Sequence, residues 1–157
     1  MSDLAVVATS VVAKDDAGTE QGTAGETVGA GQAGYFDRPS RTYKLAHAAR
    51  IPPATTLRGI FLNSANTGQP VVVQKTGGLD PGVSMTVGAI YVLSGNNAGG
   101  IAPVTDVAVG WVTAPLGVAV ESRRLQLCIA NPFDALDVAV QSTDFSNPDD
   151  AAYLAFL

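Results

Sequence analysis

The spacing of turn residues between positions 57 and 103, LRGIFLNSANTGQPVVVQKTGGLDPGVSMTVGAIYVLSGNNAGGIAP, constrains this chain more than any other feature. Three short apolar runs, residues 58–62, 70–74 and 89–93, are rich in Val, Ile, Tyr or Phe, and Gly, Asn, Ser or Pro bounds each of them. An amphipathic helix needs about ten uninterrupted residues, which these breakers deny, whereas short β-branched and aromatic runs closed by such residues are strands. The stretch presents no evident nucleophile with its base and no metal cage. Its contribution is a shape.

The same punctuation continues on both sides. Upstream, residues 27–28, 34–36 and 43–45 are candidate strands, and DRPSR is a turn in which Pro39 is barred from a central ladder. Residues 46–50 could form one helical turn, which Pro52 and Pro53 would end. Within the central stretch, NSANTG, GGLDPG and NNAGG are expected as turns. Downstream come candidate strands at 104–107, 110–113, 116–120 and 125–129, the last two joined by the polar connection ESRR. Short strands at intervals of about 8–12 residues point to an all-β protein, a small barrel or sandwich. PVVVQ and IYVLS are apolar on both parities, so protein or a subunit interface must cover both faces. A short echo links AGQAGYF at 30–36 with TGQPVVV at 67–73, each a Gly-Gln turn feeding a strand, too brief to establish duplication.

Composition narrows the class. With 157 residues the chain has the length of one domain and can bury roughly two-thirds of its unfolded surface. Only 15% of residues are charged and 17 are glycine, which argues against disorder and against a helical bundle. The net charge of −5 makes nucleic acid an unexpected partner. The charges are segregated: Arg38, Arg41, Lys44, Arg50 and Arg58 fall in one segment, while Asp134, Asp137, Asp144, Asp149 and Asp150 follow the last base, Arg124. These are either two solvated faces or an acidic tail lying against a basic surface. Residues 1–13 carry Asp3 and polar breaks, so neither a signal peptide nor a membrane span is expected, and synthesis is placed in the cytosol.

Three regions are expected: an N-terminal arm over 1–24, a core domain over 25–132 and a C-terminal arm over 133–157. Residues 1–13 alternate weakly and could add a strand to a sheet edge; residues 14–25 (KDDAGTEQGTAG) are expected as a polar loop or arm. The chain closes on YLAFL, which would be a liability if it hung free, so docking is expected, in a local or an intermolecular groove.

Motifs for chemistry give little. Gly29-Ala-Gly31-Gln-Ala-Gly34 fits the dinucleotide fingerprint, but YFDRP follows where a helix should begin. His47 is the only histidine and no G-x-S-x-G elbow presents a serine. Cys128 is the only cysteine, which excludes an intrachain disulfide, and its setting LQLCIAN is that of a buried small hydrophobe. Glu26, Asp37, Asp80, Asp106 and Glu121 are the carboxylates left for acid–base work, most of them in turn contexts. No catalysis, metal or cofactor is expected. Trp111, with Tyr35, Tyr43 and Tyr91, could line a sugar-binding face, although such residues more often fill a core or an interface.

The succession AGETVGAGQAGYFD, YKLAHA, LRGIFLNSANTGQPVVVQKTGGL, MTVGAIYVLSGNNAGGIAPV and LGVAVESRRLQLCI resembles the capsid decoration, or cement, proteins of tailed bacteriophages. It covers about residues 24–130, and its elements are the Gly-Gln turn, G-I-x-L-N-x-A-x-x-G-Q, V-G-x-x-Y-V-L-S and G-G-I-x-P. The resemblance implies a small β-barrel, commonly a homotrimer, that binds the outer surface of an expanded virion head and clamps neighbouring major capsid subunits, with no catalysis and no cofactor. On that expectation the capsid or inter-subunit contacts are Leu4, Val6 and Val11 of the first arm, Arg38, Arg41 and Arg50, and Phe145, Tyr153, Leu154, Phe156 and Leu157 of the last. The alternative expectation is a head-fibre or tail-associated adhesin that binds a host glycan.

Overall fold

The computed structural model describes residues 3–50 and 56–129. Among these lie ten strands: β1 Val12–Ala13, β2 Gly18–Thr23, β3 Ala33–Asp37, β4 Thr42–Leu45, β5 Gly59–Phe61, β6 Pro70–Asp80, β7 Ile90–Leu93, β8 Ile101–Pro103, β9 Pro115–Glu121 and β10 Arg124–Cys128. The only helical pieces among them are 3-10 turns at Ala8–Ser10 and Val104–Asp106. The all-β expectation holds. One antiparallel sheet runs β4-β3-β5-β6-β10-β9-β7-β8, with β1 and β2 also paired to β6, and it curls into a half-barrel.

β6 is the strand on which the rest is hung. Its first half pairs with β2 on one edge and β5 on the other; its second half pairs with β1 and β10. Sequence reading places a turn at GGLDPG, but the strand continues through Gly77 and Gly78 to Asp80. The glycines bend the strand without ending it. Gly77 has φ +86°, and a Cβ there would lie 2.6 Å from the Asp16 carbonyl carbon. Pairing with β2 skips Lys75, so a bulge precedes the bend. The buried Gln74 amide donates to the Thr76 and Gly78 carbonyls at 3.0 and 2.8 Å and holds that curvature.

The curl gives the sheet two cores. Ile60 and Phe61 are adjacent in β5, so they point to opposite faces. Ile60 joins Leu79, Tyr91, Leu93, Leu116 and Leu125 in the larger, aliphatic core. Phe61 joins Tyr43, Val71 and Val73 in the smaller one, against which Phe36 packs. The rings meet edge-on, Phe36–Tyr43 at 5.2 Å and Tyr43–Phe61 at 6.4 Å between centroids. Gly34 is required here, because a Cβ would stand 2.5 Å from the Phe61 ring.

Other expectations need correction. Residues 14–25 contain β2, whose GTEQGT sequence has no apolar periodicity; it is a strand because β6 offers it six paired positions. Residues 104–107 and 110–113 were apolar enough for strands, yet the first begins with a 3-10 turn and the second is irregular. Asp106 and the left-handed Gly110, φ +93°, break the extension. Residues 27–28 supply a single bridge, Val28 to Ala65, and residues 46–50 turn without becoming helical.

The Gly-Gln echo has a structural counterpart. In 29–32 and again in 66–69, the fourth residue's N–H donates to the first residue's carbonyl, at 3.2 and 3.0 Å. In both, a left-handed glycine, Gly31 or Gly68, precedes a glutamine whose Oε1 accepts the first residue's N–H at 2.7 Å. Each turn launches a strand, β3 or β6.

Candidate functional site

With no reaction centre indicated by sequence, the candidate site is a surface. Leu4, Val6 and Val11 are partly buried against the larger core of their own chain. The Leu4 N–H donates to the Ile101 carbonyl at 2.7 Å, covering part of the β8 edge, and the Val7 N–H donates to Pro81 O at 3.2 Å. Asp3 anchors this segment: its carboxylate accepts from Ser94 Oγ at 2.6 Å and from Asn97 Nδ2 at 2.9 Å. A cleft of about 390 Å³ remains between residues 3–8 and the loops at 29–32 and 97–101. In β1, Val12 and Ala13 pair with Asp80 and Leu79, so this part of the chain does add a strand to an edge.

Arg38 and Arg41 lie exposed on the β3–β4 turn, where Arg41 adopts φ +56°. Arg50 is exposed beyond β4. Arg38 and Arg41 share this turn, where the Arg41 N–H donates to the Arg38 carbonyl at 3.3 Å, while Lys44 and Arg58 of the same segment are engaged with acids. Lys44 lies 3.3 Å from Asp37, whose carboxyl is held below its ordinary value by the Ser40 hydroxyl first and by Lys44. Phe145, Tyr153, Leu154, Phe156 and Leu157 lie outside the described residues.

Sequence reasoning missed the polar cluster of Glu20 on β2, Tyr43 on β4, Arg58 before β5 and Lys75 on β6. Arg58 Nε and Nη2 reach the two Glu20 oxygens at 2.8 and 3.3 Å, and the Tyr43 hydroxyl donates to the same carboxylate. Lys75 stands 3.8 Å away. Partial burial pushes the Glu20 carboxyl up, but the hydrogen bonds from Arg58 and Tyr43 outweigh it and hold the group below its ordinary value. Burial and the Glu20 charge push the Tyr43 phenol well above its ordinary range. With both bases turned to the one carboxylate, the cluster fastens four parts of the half-barrel. Its members are separated by up to 55 positions, so only the fold brings them together.

The carboxylates considered for acid–base work are spread and mostly occupied. Asp80 accepts from Arg123 Nε at 2.9 Å and from the Gly82 N–H at 2.8 Å. Glu26 accepts the Leu45 N–H at 2.9 Å, and Glu121 is exposed at the β9–β10 hairpin. Asp106 has a buried Oδ1 without a protein partner. Among the described residues no group of three or more His, Cys, Asp or Glu side chains is placed to hold a metal ion. Cys128 is exposed, contrary to expectation, because Leu125 and Leu127 take the inward parity of β10. His47 Nδ1 accepts the Ala49 N–H at 3.1 Å. Trp111 is partly buried with its indole against Gly95, whose Cβ would lie 2.6 Å from Cδ1, so part of the ring is already covered.

The remaining surface feature is apolar. Val87, Ile90, Val104 and Val120 are all exposed around β7, β8 and β9, and Val109 and Val112 on the loop that follows β8. Fold and surface together define an all-β chain in which, among the described residues, acids and bases pair to fasten the sheet and apolar sheet and loop side chains stay uncovered. No protein-family model and no curated protein matches the chain.

Proposed function

We propose that the chain is a structural, non-catalytic virion protein that binds the outer surface of an expanded tailed-phage head and stabilises it by clamping neighbouring major capsid subunits. The observation that carries this reading is the order of its cement-like sequence elements and what they build. G-I-x-L-N-x-A-x-x-G-Q forms β5 and the turn into β6, where Asn63 accepts the Val72 N–H at 2.8 Å and donates to Pro70 O at 3.1 Å. V-G-x-x-Y-V-L-S ends in β7, and G-G-I-x-P leads into β8. These are parts of one curled sheet, β5 and β6 separated from β7 and β8 by β10 and β9, and its β7–β9 face keeps exposed apolar side chains that suit such contacts. A module of this kind needs only weak individual contacts, because an oligomer spread over a lattice gains avidity. On this reading the protein is assembled as a homotrimer from subunits made in the host cytoplasm, and neither nucleic acid nor membrane is its partner.

The test is to mix purified full-length protein with expanded, undecorated heads and sediment them. Saturable co-sedimentation and density over capsomer junctions are expected. Absence of binding, with Trp111 fluorescence protected by sugars instead, would replace this reading with the glycan-binding adhesin.

A further inference from the structure

Exposed apolar side chains concentrate at one corner of the sheet. Ile90 is 46% exposed and pairs with Val118 of β9; Val120 (46%), Val87 (61%) and Val104 (39%) surround them. Between β7 and the end of β8 runs a groove of about 420 Å³, lined by Thr86, Ala89, Ile90, Tyr91, Pro103 and Val104 among others. No charged residue lines it, and its size lies within the range of about 300–1,000 Å³ at which pockets hold ligands. The Tyr91 hydroxyl accepts the Thr86 N–H at 3.1 Å, so the polar tip of the ring is already satisfied.

The course of the chain supplies an occupant. The described residues end at Ile129, just after β10, and the register Gln126–Val118–Ile90 puts the groove two strands away, about 10 Å across the sheet. Ile129 is three residues past Gln126, a further ~10 Å along the strands. The 28 residues from 130 to 157 can span at most roughly 95 Å, several times what is required. They end in Tyr-Leu-Ala-Phe-Leu, uncharged in its side chains, while their five acids all lie between positions 134 and 150. A tethered segment meets a site on its own chain at an effective concentration on the order of millimolar.

We propose that residues 153–157 of the chain seat in the groove of the same chain, against Ile90, Tyr91 and Val104, and cover the apolar corner. This holds whichever partner the rest of the surface takes.

The experiment uses full-length protein carrying Cys128→Ser, Val104→Cys and Leu154→Cys, prepared with ordinary and with heavy nitrogen and mixed in equal amounts. After treatment with a short bis-maleimide linker, mass spectrometry should find positions 104 and 154 joined within one isotope label only. Links of mixed label would seat the tail on a second copy and overturn the proposal, as would no link while both thiols remain reactive. A second measurement avoids the cysteines. Leu154→Asp with Phe156→Asp should raise amide exchange over residues 86–91 and 103–105 by about tenfold, since cover lost from a local element appears as faster local opening. Unchanged exchange there would overturn the proposal as well.

Discussion

The two halves of β6 carry different kinds of neighbours. Around Pro70–Gln74 the strand is enclosed by β2 and β5, its apolar side chains meet the rings of Tyr43 and Phe61, and Glu20, Arg58 and Lys75 bind the enclosing strands together. Around Thr76–Asp80 it leads into β10, β9 and β7, where aliphatic residues fill one face and leave Ile90, Val87 and Val120 exposed on the other. All eight exposed large hydrophobics among the described residues lie at Val7, at Val12 or beyond residue 80. One half of the sheet is closed by its own aromatic and ionic contacts. The other half keeps apolar side chains uncovered by the described residues, and that is where recognition should be sought.

Removing the aromatic wedge should damage the closed half most. Phe61→Ala empties a fully buried site bounded by Gly34 and Tyr43, and a loss of about 3–5 kcal/mol is expected in denaturant unfolding. A change below ~1 kcal/mol would mean that the small core can collapse around the gap, and the contrast between the halves would fail.

Arg58→Ala should come next. It strands the partly buried Glu20 carboxylate with only Tyr43 and the more distant Lys75, and the loss of a charge-assisted pair should cost about 2 kcal/mol. The pH dependence follows from the same cluster. Glu20 is lowered from an ordinary value of 4.5, so its stabilisation is present above that pH and is lost as pH falls through the folded value. Tyr43 is raised from an ordinary value of 10.0, so its contribution is present below that pH and fades as pH rises through the folded value. Unfolding measured across pH should therefore show a wild-type plateau falling at both ends. The Arg58→Ala acid limb should be shallower, since Glu20 loses its main cationic partner; an unaltered limb would assign the acid sensitivity to the other lowered carboxyls, Asp16 by the Gly78 N–H, Asp37 by the Ser40 hydroxyl, and Asp80, where burial is outweighed by Arg123.

Much of this architecture is legible in sequence, and several of the failures share a cause. Runs such as VVVQ and IYVL announce strands because their β-branched and aromatic residues need a pleated, covered surface. The twin Gly-Gln turns are legible as an echo because each is a local device within four residues. By contrast, β2 owes its extension to β6, and GGLDPG continues as strand because a glycine bend can be held by the distant Gln74 amide. VTDV has strand-like residues and β7 beside it, yet Asp106 and the left-handed Gly110 turn the chain out of extension. The Glu20–Arg58 pair is invisible as β2 is: 38 positions separate partners that only the fold joins. Parity in β10 placed Cys128 outward although its neighbours are apolar. Of the expected contact positions, Leu4, Val6 and Val11 pack on their own core because weak alternation carries no information about which surface, own or foreign, will receive it.

The smallest expected effect tests the open half directly. An exposed isoleucine changed to serine should cost no more than ~0.5 kcal/mol, since little apolar area is removed from cover. If the tail lies over Ile90, the cost in the full chain must be larger, and it must shrink when the tail is made unfit to bind. A double-mutant cycle of Ile90→Ser with Leu154→Asp should then give a coupling of at least ~0.5 kcal/mol, the value that separates residues in contact from independent ones. Val109→Ser, on the loop after β8 and outside the groove, should add to Leu154→Asp without coupling. Additivity at both positions would leave the apolar corner uncovered in the isolated protein, so that its exposure is kept for a partner. Coupling at Ile90 alone would mean that any partner using this face must first displace the tail.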